Sequence, residues 1–418
     1  MKVNNVRRVA IIGGNRIPFA RSNTAYSEAS NQDMLTAALN GLIERYKLQG
    51  ERIGEVVAGA VIKHSRDFNL TRECVLSTAL APETTCYDIQ QACGTGLEAA
   101  ILVANKIALG QIESGIAGGS DTTSDAPIGV SEGLRSILLE MNRAKTNADR
   151  VKALARFRPQ HLMPLIPTNG EPRTGLSMGE HCEITAKEWN VAREDQDRLA
   201  YESHTKMAKA YDEGFFNDMI TPFQGLNRDN NLRGDTTLEK LATLKPCFDR
   251  ENGTMTAANS TPLTDGASCV LLASEEWAKA RNLPVLAYIS YCEVAAVDFV
   301  GKKEGLLIAP AYAIPRMLDR AGLTLQDFDF YEIHEAFAAQ VLYTLKAWET
   351  ESFCKEKLGR DKILGSIDRS KLNVKGSSLA AGHPFAATGG RIIHTAAKLL
   401  AEKGKGRALI SICAAGGQ

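Results

Sequence analysis

The sequence predicts an α/β protein made of two copies of one α/β unit, with a loop and lid region inserted between them. Three observations carry that prediction. A stretch opening at Cys93 runs through an alanine-rich helix at 97–109 and a turn at 110–115, then enters a strand ending Ala117-Gly118-Gly119. Its counterpart opens at Gly382-His383-Pro384 and places Ile392, Ile393, Ala396, Leu399 and Leu400 at helical spacing. It turns at 402–406 and ends in the strand 408–413, with Gly416-Gly417 behind it. A second repeat lies upstream: a helix over 34–46 leads to the strand 56–61, as a helix over 312–321 leads to 330–334. Finally, 418 residues exceed a single simple core. Repetition at this length indicates a duplicated domain rather than a solenoid.

The elements follow in order. Lys2, Arg7 and Arg8 precede the apolar run 9–12, which stops at Gly13-Gly14. That run is too short for a secretory signal, and without GxGxxG it is no dinucleotide fingerprint. The β-prone stretch 85–89 leads into Gln90-Gln91-Ala92-Cys93-Gly94-Thr95. From 125 to 250 the composition changes. Arg135, Arg143, Lys145, Arg150, Lys152, Arg156 and Arg158 alternate with Leu134, Ile137, Leu138, Met141, Val151 and Leu154 in one basic amphipathic stretch. A solvated helix face, a surface for phosphate-bearing ligands, a partner subunit and a membrane face all fit it. Pro159, Pro164, Pro167 and Pro172 interrupt structure before a helix over 178–188 and another, on exposed polar residues, over 195–211. The division expected is 1–124 plus 251–280 for the first half, 125–250 for the lid, and 281–418 for the second half.

Composition excludes several functions. Lys+Arg and Asp+Glu both total 49, so no net charge draws the chain to nucleic acid or an anionic membrane. No segment approaches a membrane span. Nine cysteines without a CxxC pair suit neither a structural zinc site nor a disulfide scaffold, and a reducing cytoplasm fits them best. Cys93 stands where a strand yields to a helix, and a helix N-terminus favours thiolate over thiol. The repeat then brings the loop of His383 to the same cleft, because equivalent helix N-termini of two halves can converge.

Five motifs together resemble the thiolases, specifically fatty-acid-oxidation 3-ketoacyl-CoA thiolases of the type that pairs with a hydratase/dehydrogenase subunit. They are Cys93 in its helix-opening loop, the stretch 254–267 (TMTAANSTPLTDGA), His334-Glu335-Ala336-Phe337-Ala338, Gly382-His383-Pro384-Phe385-Ala386-Ala387-Thr388-Gly389, and Cys413-Ala414-Ala415-Gly416-Gly417. The likeness runs from Arg16 to the last residue. It implies a thiolase-like duplicated αβαβα sandwich and an acetyl-CoA C-acyltransferase with coenzyme A as co-substrate, no permanently bound cofactor and no metal. It also implies a homodimer or dimer of dimers. The roles implied are Cys93 as nucleophile, His383 as its activator and an oxyanion donor, and Cys413 as the acid and base that handles the acetyl enolate. His334, where many relatives carry asparagine, would fix the water of the first oxyanion hole. Backbone N–H groups of Cys93 and Ala415 would form the second. Thr261, with Ser260 beside it, is expected to contact CoA. Met178, Ala336 and Phe337 are expected along the acyl and pantetheine tunnel.

Some features depart from the family pattern. Lys375 and Ser377 stand where glycine or small residues are usual, which would strain any position needing φ > 0. Asp121 stands where many relatives have glutamate. The second half lacks a final strand equivalent to 267–272, so an exposed sheet edge is expected. Two alternatives compete: a decarboxylating ketoacyl synthase of the same superfamily, and a non-catalytic lipid carrier of the same fold. Cys413 argues against the first, because decarboxylation makes its own carbanion. Retention of Cys93, His383 and Cys413 argues against the second.

Overall fold

The computed structural model describes residues 6–418, so Lys2 lies outside the described residues. Strands β1 (Val9–Arg16), β2 (Ala20–Arg21), β3 (Glu55–Ala58), β4 (Cys86–Asp88), β5 (Ser114–Asp121), β6 (Thr264–Ser274) and β7 (Ala287–Ile289) form one sheet. Its order is β4-β3-β5-β6-β1-β7, with β2 pairing to β6. β3 runs parallel to β4 and β5, whereas β6 runs antiparallel to β5 and β1. β5 and β6 are buried along their whole length, which is why they read as small and apolar runs without polar alternation. A second sheet pairs β8 (Phe330–Ile333) in parallel with β9 (Ala408–Ser411).

The main helices are α1 (Asn31–Tyr46), α2 (Thr95–Ala108), α3 (Glu132–Arg143), α4 (Asn147–Leu154), α5 (Met178–Glu188), α6 (Arg193–Asp212), α7 (Pro310–Ala321), α8 (Ala338–Glu349) and α9 (Thr388–Lys403). A capping box starts α1: the Asp33 N–H donates to Ser30 Oγ at 3.1 Å, and the Ser30 N–H returns to the Asp33 carboxylate at 3.0 Å. Strand alternation then separates the core into layers. Ile12, Val56, Ile116 and Leu271 meet α1 through Met34, Leu35, Ala38 and Leu42. The next residues along, Ile11, Val57, Ala117 and Leu272, face α2 and α9. On the far side of the second sheet, Tyr331, Ile333 and Leu409 pack against Ile314 and Leu318 of α7 and Leu345 and Trp348 of α8. The result is a five-layer αβαβα sandwich with α2 and α9 in its central layer.

Several details differ from the sequence expectation. The strand expected over 56–61 ends at Ala58. There the chain turns out of the sheet, and the Val61 and Ile62 N–H groups donate to the Asp121 carboxylate at 2.9 and 2.8 Å. The strand expected over 408–413 ends at Ser411, which leaves Cys413 in the loop beyond it. The basic stretch after 132 is two helices, because Thr146 caps α4 and breaks the run. Helix α6 is not merely polar and exposed, since Ala200, Ser203, His204, Met207 and Ala210 are buried. The strain expected at Lys375 and Ser377 falls elsewhere: the left-handed positions are Asn373 and Gly376, both suited to them. The 125–250 segment is tied to the first sheet by Arg16, whose guanidinium donates to Asp229 at 2.6 and 2.8 Å, both residues buried.

The central layer has an unusual contact. A Cβ built on Gly389 would lie 2.2 Å from the Leu97 nitrogen, and one on Gly96 would lie 2.5 Å from the Ala386 carbonyl oxygen. The first turns of α2 and α9 therefore touch backbone to backbone. Gly389→Ala is expected to destabilise the fold by about 1–3 kcal/mol through overpacking and to lower activity more than stability alone explains. Urea unfolding together with turnover measures both, and unchanged stability would show that the contact can relax.

Candidate active site

Cys93 sits in the turn that opens α2. Ala92 just before it holds a left-handed φ of 46°, a strained conformation for a residue with a Cβ. Thr95 braces that turn from both sides: its Oγ1 accepts from the Gln91 N–H at 2.9 Å and donates to the Ala92 carbonyl at 2.7 Å. The helix start carries no side-chain cap, and the Gly94 and Thr95 N–H groups donate to the Gln91 and Ala92 carbonyls at 2.9 and 3.1 Å. The thiolate favoured in the sequence reading is not the resting state. Burial pushes the Cys93 thiol up to about 12, against the opposing pull of the Ala415 N–H and its own N–H. Part of the residue nonetheless stays open to solvent.

The second half supplies two imidazoles. His383 lies before α9, with its N–H donating to Thr264 Oγ1 at 2.7 Å and its Nδ1 2.6 Å from Thr388 Oγ1. His334 follows β8, with Nδ1 2.7 Å from Ser378 Oγ. The two ring centroids are 4.0 Å apart. Burial, then the nearby Arg391 charge, lowers His383 to about 3. Burial, His383 and Arg391 together hold His334 well below the usual histidine range. Both rings are therefore neutral at physiological pH, and neither Nε2 has a partner among the described residues.

Cys413 completes the cluster. It is 1% exposed, and burial followed by the adjacent Cys93 raises its thiol far above the ordinary value. Two carboxylates hold the loops around it. Asp121 at the end of β5 accepts from Val61, Ile62 and, at 2.9 Å, the Ala386 N–H of the His383 loop. Burial raises Asp121 to about 7 despite those three donors. Glu171 of the lid accepts from the Gly416 N–H at 2.7 Å, which ties the lid to the Cys413 loop.

The residues expected to bind substrate divide into two groups. The Thr261 hydroxyl donates to the Ala336 carbonyl at 3.0 Å, and the Thr261 N–H reaches the same oxygen at 3.0 Å. Its proton is thus used internally, whereas the buried Ser260 hydroxyl beside it has no partner among the described residues. Phe337 meets Phe248 edge-on at 5.7 Å, and Met178 packs into the same apolar cluster. Sequence reasoning missed Thr264, Thr388, Ser378, Glu171 and Phe248. Only Thr388 had a signal, as the hydroxyl inside the glycine-rich stretch after His383.

Comparison with known proteins agrees with this geometry. Residues 9–276 match the thiolase N-terminal domain and residues 283–418 the thiolase C-terminal domain. A 3-ketoacyl-CoA thiolase of Yersinia pestis (strain Pestoides F) is 42% identical over 416 residues, covering 98% of this chain and 95% of the relative. The crystal structure of the Bacillus anthracis acetyl-CoA acetyltransferase superposes with a TM-score of 0.81 at 30% identity, covering 99% of this chain and 97% of that one. The human mitochondrial 3-ketoacyl-CoA thiolase in complex with CoA gives 0.80 at 28% identity, covering 98% and 96%. Two domain matches that leave little of the chain uncovered, on a duplicated sandwich with paired cysteine and histidine loops, establish that this chain belongs to the thiolase family.

Proposed function

We propose that the chain is a 3-ketoacyl-CoA thiolase: it cleaves 3-ketoacyl-CoA with CoA, giving acetyl-CoA and an acyl-CoA two carbons shorter. The observation that carries this reading is a two-thiol site, Cys93 beside Cys413, flanked by two neutral imidazoles with open Nε2 atoms. Cys93 Sγ attacks the 3-keto carbon while its proton passes to His383 Nε2, a base kept free by its depressed pKa. The oxyanion is held by a water fixed on His334. The Cα–Cβ pair then leaves as the enolate of acetyl-CoA, which takes a proton from Cys413. CoA-SH gives its proton to the Cys413 thiolate and attacks the acyl group on Cys93. The second oxyanion lies between the Cys93 and Ala415 N–H groups, and its collapse returns the His383 proton to Cys93.

Ser260, rather than Thr261, offers the free hydroxyl for CoA, while Met178, Phe337 and Phe248 line the acyl path. The functional halves are 1–124 plus 251–280 and 281–418, with 125–250 as the lid. The enzyme acts in the cytoplasm as a homodimer or dimer of dimers. A hydratase/dehydrogenase subunit docks on the lid face that carries exposed Leu138, Val151, Leu154 and Met163 beside Arg150 and Lys152.

Three outcomes test this reading. After incubation with acetyl-CoA, intact mass should show an acetyl adduct that disappears in Cys93→Ala and persists in Cys413→Ala, while Cys413→Ala abolishes turnover. An adduct surviving Cys93→Ala sinks the mechanism. Iodoacetamide should alkylate resting Cys93 at a rate that climbs through pH 9, since the thiol is raised to about 12; a plateau at pH 7 or below would mark a preformed thiolate. Finally, the pair Arg150→Glu and Lys152→Glu should break the subunit complex in size-exclusion chromatography and keep thiolysis within about twofold, because exposed charges affect association more than the fold. Retained binding would exclude this docking face.

A further inference from the structure

His334 and His383 share one site, are both neutral and both leave Nε2 open, yet a donor to an oxyanion and a base for a thiol need opposite tautomers. What distinguishes them is the hydroxyl behind each ring. Ser378 Oγ lies 2.7 Å from His334 Nδ1 and also accepts from Arg391 Nη2 at 2.8 Å. Thr388 Oγ1, at 2.6 Å from His383 Nδ1, has no cationic partner among the described residues.

A hydroxyl has one proton and two lone pairs. At Ser378 the guanidinium occupies one lone pair and withdraws charge from the oxygen, making it a poorer acceptor and a better donor. If His334 Nδ1 carried a hydrogen, that N–H would take the second lone pair of the same oxygen, and the Ser378 proton would have no acceptor among the described residues. The arrangement that satisfies every atom is Arg391 to Ser378 to His334 Nδ1, which leaves the hydrogen on Nε2.

The surroundings fix this relay. Ser377 and Ser378 are fully buried, as is His334. The Ser377 N–H donates to Ser203 Oγ at 3.0 Å, and that hydroxyl donates to Glu335 at 2.7 Å. Glu335 also accepts from Asn373 Nδ2 at 2.7 Å and from the Leu379 N–H at 3.1 Å, on either side of Ser378. Arg391 also reaches Ser377 Oγ at 3.2 Å. It keeps its charge at neutral pH even though burial lowers it to about 10, with Glu332 and Glu335 supporting the cation.

We infer that Ser378, backed by Arg391, is a positioning residue that locks His334 in the Nε2–H tautomer, making it a fixed oxyanion donor and leaving the base role to His383. This deepens the thiolase reading and rests on it for the use of the His334 donor, but not for the tautomer itself.

The test is solid-state 15N NMR of wild-type protein labelled on histidine, with His334 assigned by subtracting the His334→Asn spectrum. The expected result is a protonated Nε2 and a bare Nδ1 at His334. A bare Nε2 overturns the inference whatever the enzyme's activity; inactive wild-type protein with a protonated Nε2 would instead count against the thiolase reading. Ser378→Ala should lower kcat by roughly tenfold or more, a share of the loss on removing an oxyanion donor, with KM within about twofold. Ser378→Thr should restore most of kcat. An unchanged kcat in folded Ser378→Ala overturns the positioning role, and if that variant does not fold, the wild-type spectrum still decides.

Discussion

The geometry of this site depends on the place where the first turns of α2 and α9 meet. Gly96 and Gly389 let two helix starts approach backbone to backbone, where a Cβ on either glycine would clash. Cys93 precedes one of those helices and His383 the other, so the residues proposed as nucleophile and base are placed by main chain rather than by flexible side chains. Asp121 reinforces the arrangement from the adjacent strand, since its carboxylate holds the end of β3 and the His383 loop together. Duplication alone would give two similar halves; this contact turns them into one cleft.

Burial dominates the electrostatics of that cleft. A helix N-terminus contributes about 0.3–1 kcal/mol toward an anion, and up to about 2 in partly buried geometries. Moving the Cys93 thiol from its ordinary value to about 12 corresponds to roughly 4 kcal/mol in the other direction. Desolvation wins, and the same effect keeps His334 and His383 uncharged. The resting site is therefore free of net charge in its reacting groups. In the proposed reaction charge arises only as bonds form and break, and the N–H groups of Cys93 and Ala415 and the His334 ring are the groups proposed to meet it.

Much of this was legible in the sequence. The periodicity over 178–188 coincides with α5, and the repeated loop, helix, strand and glycine pair anticipated both the duplication and the pairing of the Cys93 and His383 loops. What failed was tertiary in origin. The strand expected over 56–61 stopped short because a carboxylate from another strand captures its backbone, which no local pattern announces. A pull toward thiolate at Cys93 was read from its place at a helix start, and position says nothing about depth. Thr261, with Ser260 beside it, was the expected CoA contact, and only the fold shows that its hydroxyl is spent on the Ala336 carbonyl. The Ser378 hydroxyl was invisible for the same reason, since its meaning comes from Arg391 and His334, each contributed by a different element.

The bond from Glu171 to the Gly416 N–H joins the 125–250 segment to the loop that carries Cys413. In the proposed enzyme that segment is the lid over the acyl path and Cys413 is the proton donor, so selection of a substrate and delivery of a proton share a mechanical linkage. A lid reshaped to admit a longer or shorter chain would then pull on Gly416 and re-aim the thiol three residues before it, and acyl preference and turnover would not be independent traits.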